Sequence, residues 1–155
     1  MGFPRYYFAT PPEGPLPLTA DIARRVRFEE VDALNMVWHG RYPSYFEDGR
    51  IAFGEKHGLS YQLFKAHGVM APIVQMHVDY HGPLRFNDTV RIEATLYWND
   101  ALRLDFDYKI IDSRQQLVTS GYTVQLLTDL HGDLLLIPPE WFQEFKNKWC
   151  QGHLG

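Results

Sequence analysis

The chain of 155 residues has the length of one ordinary domain and can bury a substantial core without disulfide bonds. Its net charge of −4 argues against nucleic acid as a main partner, since binding a phosphate backbone requires a concentrated basic surface. The one cysteine, Cys150, has no partner for an intramolecular disulfide. No stretch approaches the roughly 20 apolar residues of a membrane span. We therefore expect one globular domain in the cytoplasm, with neither membrane nor nucleic acid among its partners.

The first third of the chain predicts an arm, a strand and a helix, in that order. Prolines at positions 11, 12, 15 and 17 predict an extended N-terminal arm over residues 1–21. Residues 22–31 alternate imperfectly between apolar and charged side chains, as a half-exposed strand does. Gly40 and Pro43 then indicate a turn into a helix from about Tyr42 to His57, with the proline in its first turn.

The predicted helix has a broad apolar face. The residues on this face recur at helical spacing: Tyr42, Tyr45, Phe46, Gly49, Ala52 and Phe53. Gly49 and Gly54 lie inside the helix, although a glycine there costs about 1 kcal/mol relative to alanine. We therefore expect the helix to lie on a sheet, with the two glycines at points of close approach.

The remaining two thirds of the chain predict mainly strands. Residues 60–68 favour a second short helix, and residues 71–82, 89–98, 102–111 and 116–128 each have a strand pattern, with turn residues between them. A short strand at 134–137 and an amphipathic helix within 138–149 are expected next, followed by a tail over 150–155. One long helix followed by antiparallel strands makes residues 22–149 a single α+β domain.

The segment between the first strand and the long helix carries the residue types of an acyl-transfer site. Asp32 follows the strand, His39 comes seven residues later, and the N-terminus of the helix follows directly. A thioester hydrolase needs a carboxylate that attacks the carbonyl or activates water, and donors for the oxyanion, such as amides in a helix's first turn. Spacing alone still favours a turn-forming role for Asp32, a surface position for His39 and core positions for the nearby aromatic residues.

A family resemblance adds to this interpretation. The string RFEEVDALNMVWHGRYPSYFEDGR, residues 27–50, resembles the signature of the 4-hydroxybenzoyl-CoA thioesterase-like branch of the hotdog superfamily. In that signature an Asp follows strand one, a V-[VWY]-[HY] element comes next, and a Y-x-x-[YW]-[FL]-E helix follows. APIVQMHVDYHGPLRFNDTVRI is similar to a family strand and its P-x-x-F-x-D turn, and GYTVQLLTDLHGDLLLIPPEW to the last strands. The resemblance covers roughly residues 22–142.

The resemblance implies a hotdog fold, in which a five- or six-stranded antiparallel sheet wraps around one long central helix. It also implies a homodimer or tetramer with active sites at the subunit interface. The implied substrate is an acyl-CoA or acyl-carrier-protein thioester, with coenzyme A as part of the substrate and with no other cofactor and no metal. Carried over by position, the resemblance implies that Asp32 is the nucleophile or general base and that His39 positions water or substrate. It places the amides of Gly40, Arg41 and Tyr42 at the carbonyl. Trp38 and Tyr45 would then contact the acyl group.

The chain departs from the family pattern at two places. Many relatives have glycine where this chain has Asn35, and the larger side chain is expected to reshape the loop that presents Asp32. Some relatives have a basic cluster after the third strand that meets the CoA phosphates, where this chain has WND at 98–100. The nucleotide then lies in solvent, or it meets positive charge from other candidates, which are Arg41, Arg85 and Arg103.

Other assignments remain open. Glu47 and Arg50 are expected to form a surface pair on the helix, and Glu47 is the reserve catalyst because some hotdog enzymes take their acid from this helix. A dehydratase acting on 3-hydroxyacyl thioesters is disfavoured by the lack of an H-F-P type motif, and a non-catalytic acyl-binding subunit is the third alternative. His77 and His81 would be about 13 Å apart along one strand, too far to share a metal ion.

Overall fold

The computed structural model describes residues 7–154. Its strands and α-helices are β1 (Leu18–Arg25), α1 (Tyr42–His57), α2 (Tyr61–Ala66), β2 (Ile73–Tyr80), β3 (Thr89–Tyr97), β4 (Arg103–Ile111), β5 (Leu117–Leu126) and α3 (Glu140–Cys150). Two short 3-10 turns, Phe28–Glu30 and His39–Arg41, lie between β1 and α1. The strands form one antiparallel sheet in the order β1-β3-β4-β5-β2. Within the described range, no helix combines the length and apolar character needed to cross a membrane.

Aromatic rings hold α1 against one face of the sheet. Phe46 stacks on Tyr108 with ring centroids 4.5 Å apart, and Phe53 meets Phe106 edge-on at 5.0 Å. Gly121 on β5 makes room for Phe46, because a Cβ there would lie 2.7 Å from the ring and 2.3 Å from a carbonyl oxygen of β2. The predicted α+β hotdog fold, with its sheet around one long helix, is confirmed.

The two glycine positions inside α1 exclude a larger side chain for different reasons. A Cβ at Gly49 would lie 3.2 Å from side-chain atoms of Ala94 and Ile92 on β3, so this glycine permits close approach to the sheet, as predicted. A Cβ at Gly54 would lie 2.4 Å from the carbonyl oxygen of Leu59. Gly54 therefore differs from the prediction, because the contact that requires a glycine here is the tight turn from α1 towards α2 and not a side chain of the sheet.

The limits of the sheet also differ from those predicted. β1 pairs with β3 from Leu18 opposite Leu96 to Arg25 opposite Thr89, so four residues of the predicted arm belong to the sheet and residues 26–31 do not. Residues 134–137 form no strand, since only an isolated bridge joins residue 134 to residue 128. Cys150 is the last residue of α3 and does not begin the tail. The long helix, the second helix, the four later strands and the C-terminal helix are confirmed.

The described part of the N-terminal arm lies on the sheet face opposite α1. The Tyr7 hydroxyl donates to Oδ2 of Asp79 at 2.6 Å and lies 2.8 Å from Oγ of Ser120. The Tyr7 amide donates to Oδ2 of Asp107 at 3.4 Å. Asp107 is 3% exposed, and this burial raises the pKa of its carboxyl to about 6. The rest of the predicted arm, residues 1–6, lies outside the described residues.

Replacing Asp107 with asparagine is expected to stabilise the protein at neutral pH but not in acid. Because the folded pKa is raised, the protonated carboxyl contributes stability that is complete below the unfolded pKa, about 4, and lost as the pH rises through about 6. Asparagine does not ionise, so only the wild type loses this stability. The unfolding free energy of the variant minus that of the wild type should therefore rise by about 2 kcal/mol from pH 4 to pH 7.5. Urea denaturation at the two pH values measures this gain.

Asp105→Asn is the matched control for this measurement. Asp105 is also buried, at 4% exposure, but it forms an ion pair with Arg103 at 2.7 Å. Its replacement should therefore lower stability at pH 7.5. A pH-independent difference between wild type and Asp107→Asn would contradict the role assigned to the buried carboxyl.

Candidate active site

The connection between β1 and α1 folds as a small hairpin. An antiparallel bridge joins residues 31 and 37, and the Asp32 amide donates to the Met36 carbonyl at 2.8 Å. The tip of the hairpin is the turn 32–36, and Asp32 is exposed at its start. The chain then enters the 3-10 turn His39–Arg41 and passes directly into α1. The candidate carboxylate therefore lies on a defined turn that precedes the long helix in the sequence by about ten residues.

The Asp32 carboxylate holds this turn with one of its two oxygens. Oδ1 accepts hydrogen bonds from the amides of Leu34 at 2.9 Å and Met36 at 3.2 Å. Oδ2 has no hydrogen-bond partner among residues 7–154. The side chain is therefore fixed in orientation while one oxygen stays available for chemistry.

Among the described residues, the same turn occurs twice more. Asp112 Oδ1 accepts from the amides two and four residues later, both at 2.9 Å, and Asp129 Oδ1 does the same at 2.8 and 3.0 Å. Both of these turns lie on the surface, one of them between β4 and β5. The turn by itself therefore does not mark a catalytic residue, and the surroundings of Asp32 have to distinguish it.

Asn35 takes the conformation that this turn requires. Its φ of 59° lies in the left-handed region, which asparagine tolerates better than most residues other than glycine. Its Oδ1 accepts a hydrogen bond from the amide of Phe86 at 3.2 Å, which ties the tip of the hairpin to the segment before β3. Asparagine thus occupies the position where glycine is common in the family, and its side chain adds an anchor.

His39 lies at the junction of the hairpin with α1. Its carbonyl accepts a 2.6 Å hydrogen bond from the hydroxyl of Tyr80, the last residue of β2. Its ring lies 4.8 Å from that of Trp38, which is 50% exposed. A Cβ at Gly40 would lie 2.2 Å from the indole, so the ring can fold over this turn only because residue 40 is glycine. Within the described chain, no hydrogen bond joins the Asp32 carboxylate to His39 or to the first turn of α1.

The first turn of α1 offers fewer amides than the sequence suggests. The Arg41 amide donates to the Trp38 carbonyl at 2.9 Å, and Pro43 has no N–H group. The amides of Gly40 and Tyr42 therefore remain the candidates for polarising a carbonyl. The partial positive charge of the helix N-terminus acts at the same place.

Tyr45 packs in the core of this chain. Its ring is 0% exposed, and the guanidinium carbon of Arg24 lies 3.7 Å from the ring centroid. Burial raises the pKa of its hydroxyl. Arg24 is held in turn by Glu30 at 2.7 Å and Asp48 at 2.9 Å. Tyr45 thus packs against the arginine that binds Glu30 at the base of the hairpin, and in the single chain its ring does not line an open surface.

The expected pair of Glu47 and Arg50 is absent from the described structure. Arg50 donates instead to the hydroxyl of Tyr108 at 3.1 Å and to that of Tyr61 at 3.4 Å. Glu47 is exposed and forms no ion pair among the described residues. The physical reason is that the Arg50 guanidinium points into the domain, where the fold brings two tyrosine hydroxyls within hydrogen-bond distance.

A groove beside the hairpin is not predicted from the sequence. Its volume is about 780 Å³, and its lining includes the exposed arginines 25, 27 and 41. Phe28, 76% exposed, and Phe86, 47% exposed, meet edge-on at 5.7 Å in its wall. The string RRVRF at 24–28 is the sequence signal that points to it. Of the arginines expected to meet phosphates, Arg41 lines this groove, whereas Arg103 is paired with Asp105.

The two histidines of the β2 region have separate partners. His77 Nε2 lies 2.9 Å from Oδ2 of Asp79, and His81 Nε2 lies 2.8 Å from Oγ of Ser120. Among residues 7–154, no group of three or more histidine, cysteine, aspartate or glutamate side chains is arranged to hold a metal ion.

Substitutions at Asn35 should follow the conformation of the turn. Asn35→Gly is expected to keep the unfolding free energy within about 1 kcal/mol, because glycine adopts positive φ without strain. Asn35→Val should lower it by about 2 kcal/mol, because a β-branched residue is strained there. Urea denaturation checks both values. Ala33→Val, two residues away in the same loop, is the control and should cost little; equal losses at positions 33 and 35 would contradict the explanation.

Comparison with known proteins identifies relatives of this chain. Residues 26–145 match the family described as "Thioesterase-like superfamily". The acyl-CoA thioester hydrolase YbgC of Escherichia coli O6:H1 is 26% identical over 105 residues, which cover 68% of this chain and 78% of YbgC. The solved DHNA-CoA thioesterase from Staphylococcus aureus matches with a TM-score of 0.77 at 22% identity, over 84% of this chain and 90% of that one. The protein SAV2348 from Staphylococcus aureus, solved in complex with CoA, has a TM-score of 0.76 at 18% identity, over 88% and 86%.

Proposed function

This chain belongs to the thioesterase-like superfamily, and we propose that it hydrolyses an acyl thioester of coenzyme A to the free acid and thiol. The observation that carries the proposal is the position of Asp32 on a fixed turn, separated from α1 along the chain by the 3-10 turn His39–Arg41, with Oδ2 available. A carboxylate and a set of helix N-terminal amides are the two groups that such a reaction needs.

Two routes fit this arrangement. In the first, Oδ2 of Asp32 attacks the thioester carbon, the C–S bond breaks, the thiolate leaves, and water then hydrolyses the mixed anhydride. In the second, Asp32 takes a proton from water as the water oxygen attacks, and the departing thiolate takes up a proton. Both routes place negative charge on the carbonyl oxygen, to which the amides of Gly40 and Tyr42 are proposed to donate. The ring of His39 is proposed to position the water or the substrate.

The groove beside the hairpin, lined by Arg25, Arg27 and Arg41, is proposed to hold the nucleotide of coenzyme A. Arg25, Arg27 and Arg41 are exposed there, and guanidinium groups suit phosphate oxygens in charge and geometry. The exposed rings of Phe28 and Phe86 offer an apolar surface on which a base can stack. This groove takes the place of the basic cluster that the turn at 98–100 lacks.

We also propose that two copies pair along β2. This strand is one edge of the sheet, and its exposed large apolar side chains are between 39% and 52% exposed: Ile73, Val74, Met76 and Tyr80. An apolar edge strand invites pairing with another strand, and a two-fold axis lets the same edge serve both copies. Because Tyr80 also binds the carbonyl of His39, such a pair would place the hairpin at the interface.

Asp32→Asn is the direct test of the catalytic assignment. Asparagine keeps the oxygen that holds the turn but removes the charge, so the rate should fall by about 10²-fold or more while the fold stays intact. Release of free thiol from short, long and aromatic acyl-CoAs measures the rate, and circular dichroism monitors the fold. Asp112→Asn and Asp129→Asn change the same turn elsewhere and should keep wild-type rates. Near-wild-type turnover by Asp32→Asn would refute the assignment.

Met76→Arg tests the proposed pairing. A charge at this exposed position of β2 should produce a monomer in sedimentation velocity and should remove most of the thiol release. Ile22→Arg is the control, because Ile22 is 39% exposed on the opposite edge strand, β1, compared with 40% for Met76. A Met76→Arg protein that stays dimeric, or a monomer with full activity, would contradict the proposal.

A non-catalytic acyl-binding subunit remains the second candidate. It is favoured by one observation, namely that the turn holding Asp32 recurs at Asp112 and Asp129, where no site is expected. The panel of acyl-CoAs separates the two functions. Tight binding without thiol release from any member would establish the binding subunit.

A further inference from the structure

The turn between the hairpin and α1 contains a peptide group that is held by a distant strand. This group joins His39 to Gly40, so it carries the His39 carbonyl and the Gly40 N–H. The carbonyl accepts a 2.6 Å hydrogen bond from the hydroxyl of Tyr80, which lies 41 residues further along the chain, at the end of β2. Because the peptide group is planar and trans, a donor that fixes the direction of the carbonyl also fixes the N–H, which points the opposite way.

The neighbouring carbonyls of the turn are held from within the same segment. The Trp38 carbonyl accepts a hydrogen bond from the Arg41 amide at 2.9 Å, and the Arg41 carbonyl accepts one from the Ser44 hydroxyl at 2.7 Å. Each of these donors comes from the next turn of the chain, so the contacts depend on local sequence. The contact from Tyr80 is different, because it depends on the packing of β2 against this segment.

Packing also fixes the ring that carries the Tyr80 hydroxyl. The ring meets that of Tyr42 edge-on, with the centroids 5.3 Å apart. Tyr42 is the first residue of α1 and is 2% exposed. The start of the helix therefore supports the ring, and a change of Tyr80 to phenylalanine keeps this contact while it removes the hydroxyl.

The hydrogen bond from Tyr80 also makes the Gly40 N–H a stronger donor. A hydrogen bond to the carbonyl polarises the whole peptide group, and bonds linked in this way strengthen one another. The indole of Trp38 lies over the same turn, where a Cβ on Gly40 would be 2.2 Å from it, and so keeps water from one side of the peptide. Electrostatic interactions are stronger where water is excluded. The Gly40 N–H is therefore both oriented and polarised for an acceptor.

We propose that Tyr80 is a positioning residue, which orients and polarises the Gly40 N–H for the oxyanion that forms when a thioester is attacked. This inference rests on the proposed thioesterase function and on the Gly40 amide as a donor to the carbonyl. Negative charge develops on the carbonyl oxygen in the transition state and is absent from the bound substrate. The effect of Tyr80 should therefore appear in kcat and not in KM.

Tyr80→Phe tests this role, with Tyr7→Phe as the matched control. Loss of the Tyr80 hydroxyl should lower kcat by about tenfold and leave KM within about twofold, since loss of a whole oxyanion donor costs roughly 10²- to 10³-fold. Tyr7→Phe also removes a 2.6 Å hydrogen bond, on the sheet face opposite α1, and should keep the wild-type kcat. An unchanged kcat in Tyr80→Phe, or an equal fall in both variants, overturns the proposal.

Sedimentation velocity separates this role from the pairing of copies, because Tyr80 also lies on the edge strand where pairing is proposed. Both phenylalanine variants keep the ring and should sediment as the wild type does. A fall in kcat that comes with a loss of pairing in Tyr80→Phe would assign the effect to the interface and would overturn the proposal.

Nuclear magnetic resonance tests the contact without any reaction. The amide nitrogen resonance of Gly40 should move upfield in Tyr80→Phe, because the hydrogen bond to the carbonyl of the same peptide group is lost. It should stay in place in Tyr7→Phe. A Gly40 resonance that does not move in Tyr80→Phe overturns the inference, whatever the rates are. If it moves but the wild type releases no thiol from any acyl-CoA, the proposed function fails while the orientation of the Gly40 N–H by Tyr80 is supported.

Discussion

The arrangement of the candidate site depends on Arg24, which binds Glu30 and Asp48 at the same time. Glu30 is 2% exposed, so its charge is stable there only with a cation and hydrogen-bond donors in place. Arg24 lies at the end of β1, Glu30 at the base of the hairpin and Asp48 in α1. One guanidinium therefore fixes the sheet edge, the hairpin and the helix relative to each other. This contact therefore positions the base of the hairpin that carries Asp32 relative to α1.

Two of the proposals concern the same strand, β2. Its last residue, Tyr80, binds the carbonyl of His39, and the same peptide group carries the Gly40 N–H. The orientation of this N–H therefore depends on the packing of β2 against the turn before α1. The exposed apolar edge of β2 is the feature on which the proposed pairing of two copies depends.

Local signals account for the elements that the sequence predicts correctly. Pro43 in the first turn and Gly58, with a φ of 82° after the last turn, delimit α1, so its bounds of 42 and 57 can be read from the chain. The limits of β1 cannot be read in this way. They are set by pairing with β3, whose residues lie about seventy positions further on. The apolar run at 134–137 likewise has a strand pattern but pairs with no strand.

The sequence by itself determined the α+β class and the long helix, because these follow from periodicity and turn residues. The ordered motifs gave the family resemblance, and that resemblance proposed Asp32 as the candidate carboxylate. The tertiary structure decided that Asn35 takes a left-handed conformation, that Arg50 binds Tyr108 rather than Glu47, and that Tyr80 binds the carbonyl of His39. These outcomes depend on which distant segments pack together. A side chain's partner is chosen by that packing, and local sequence does not contain it.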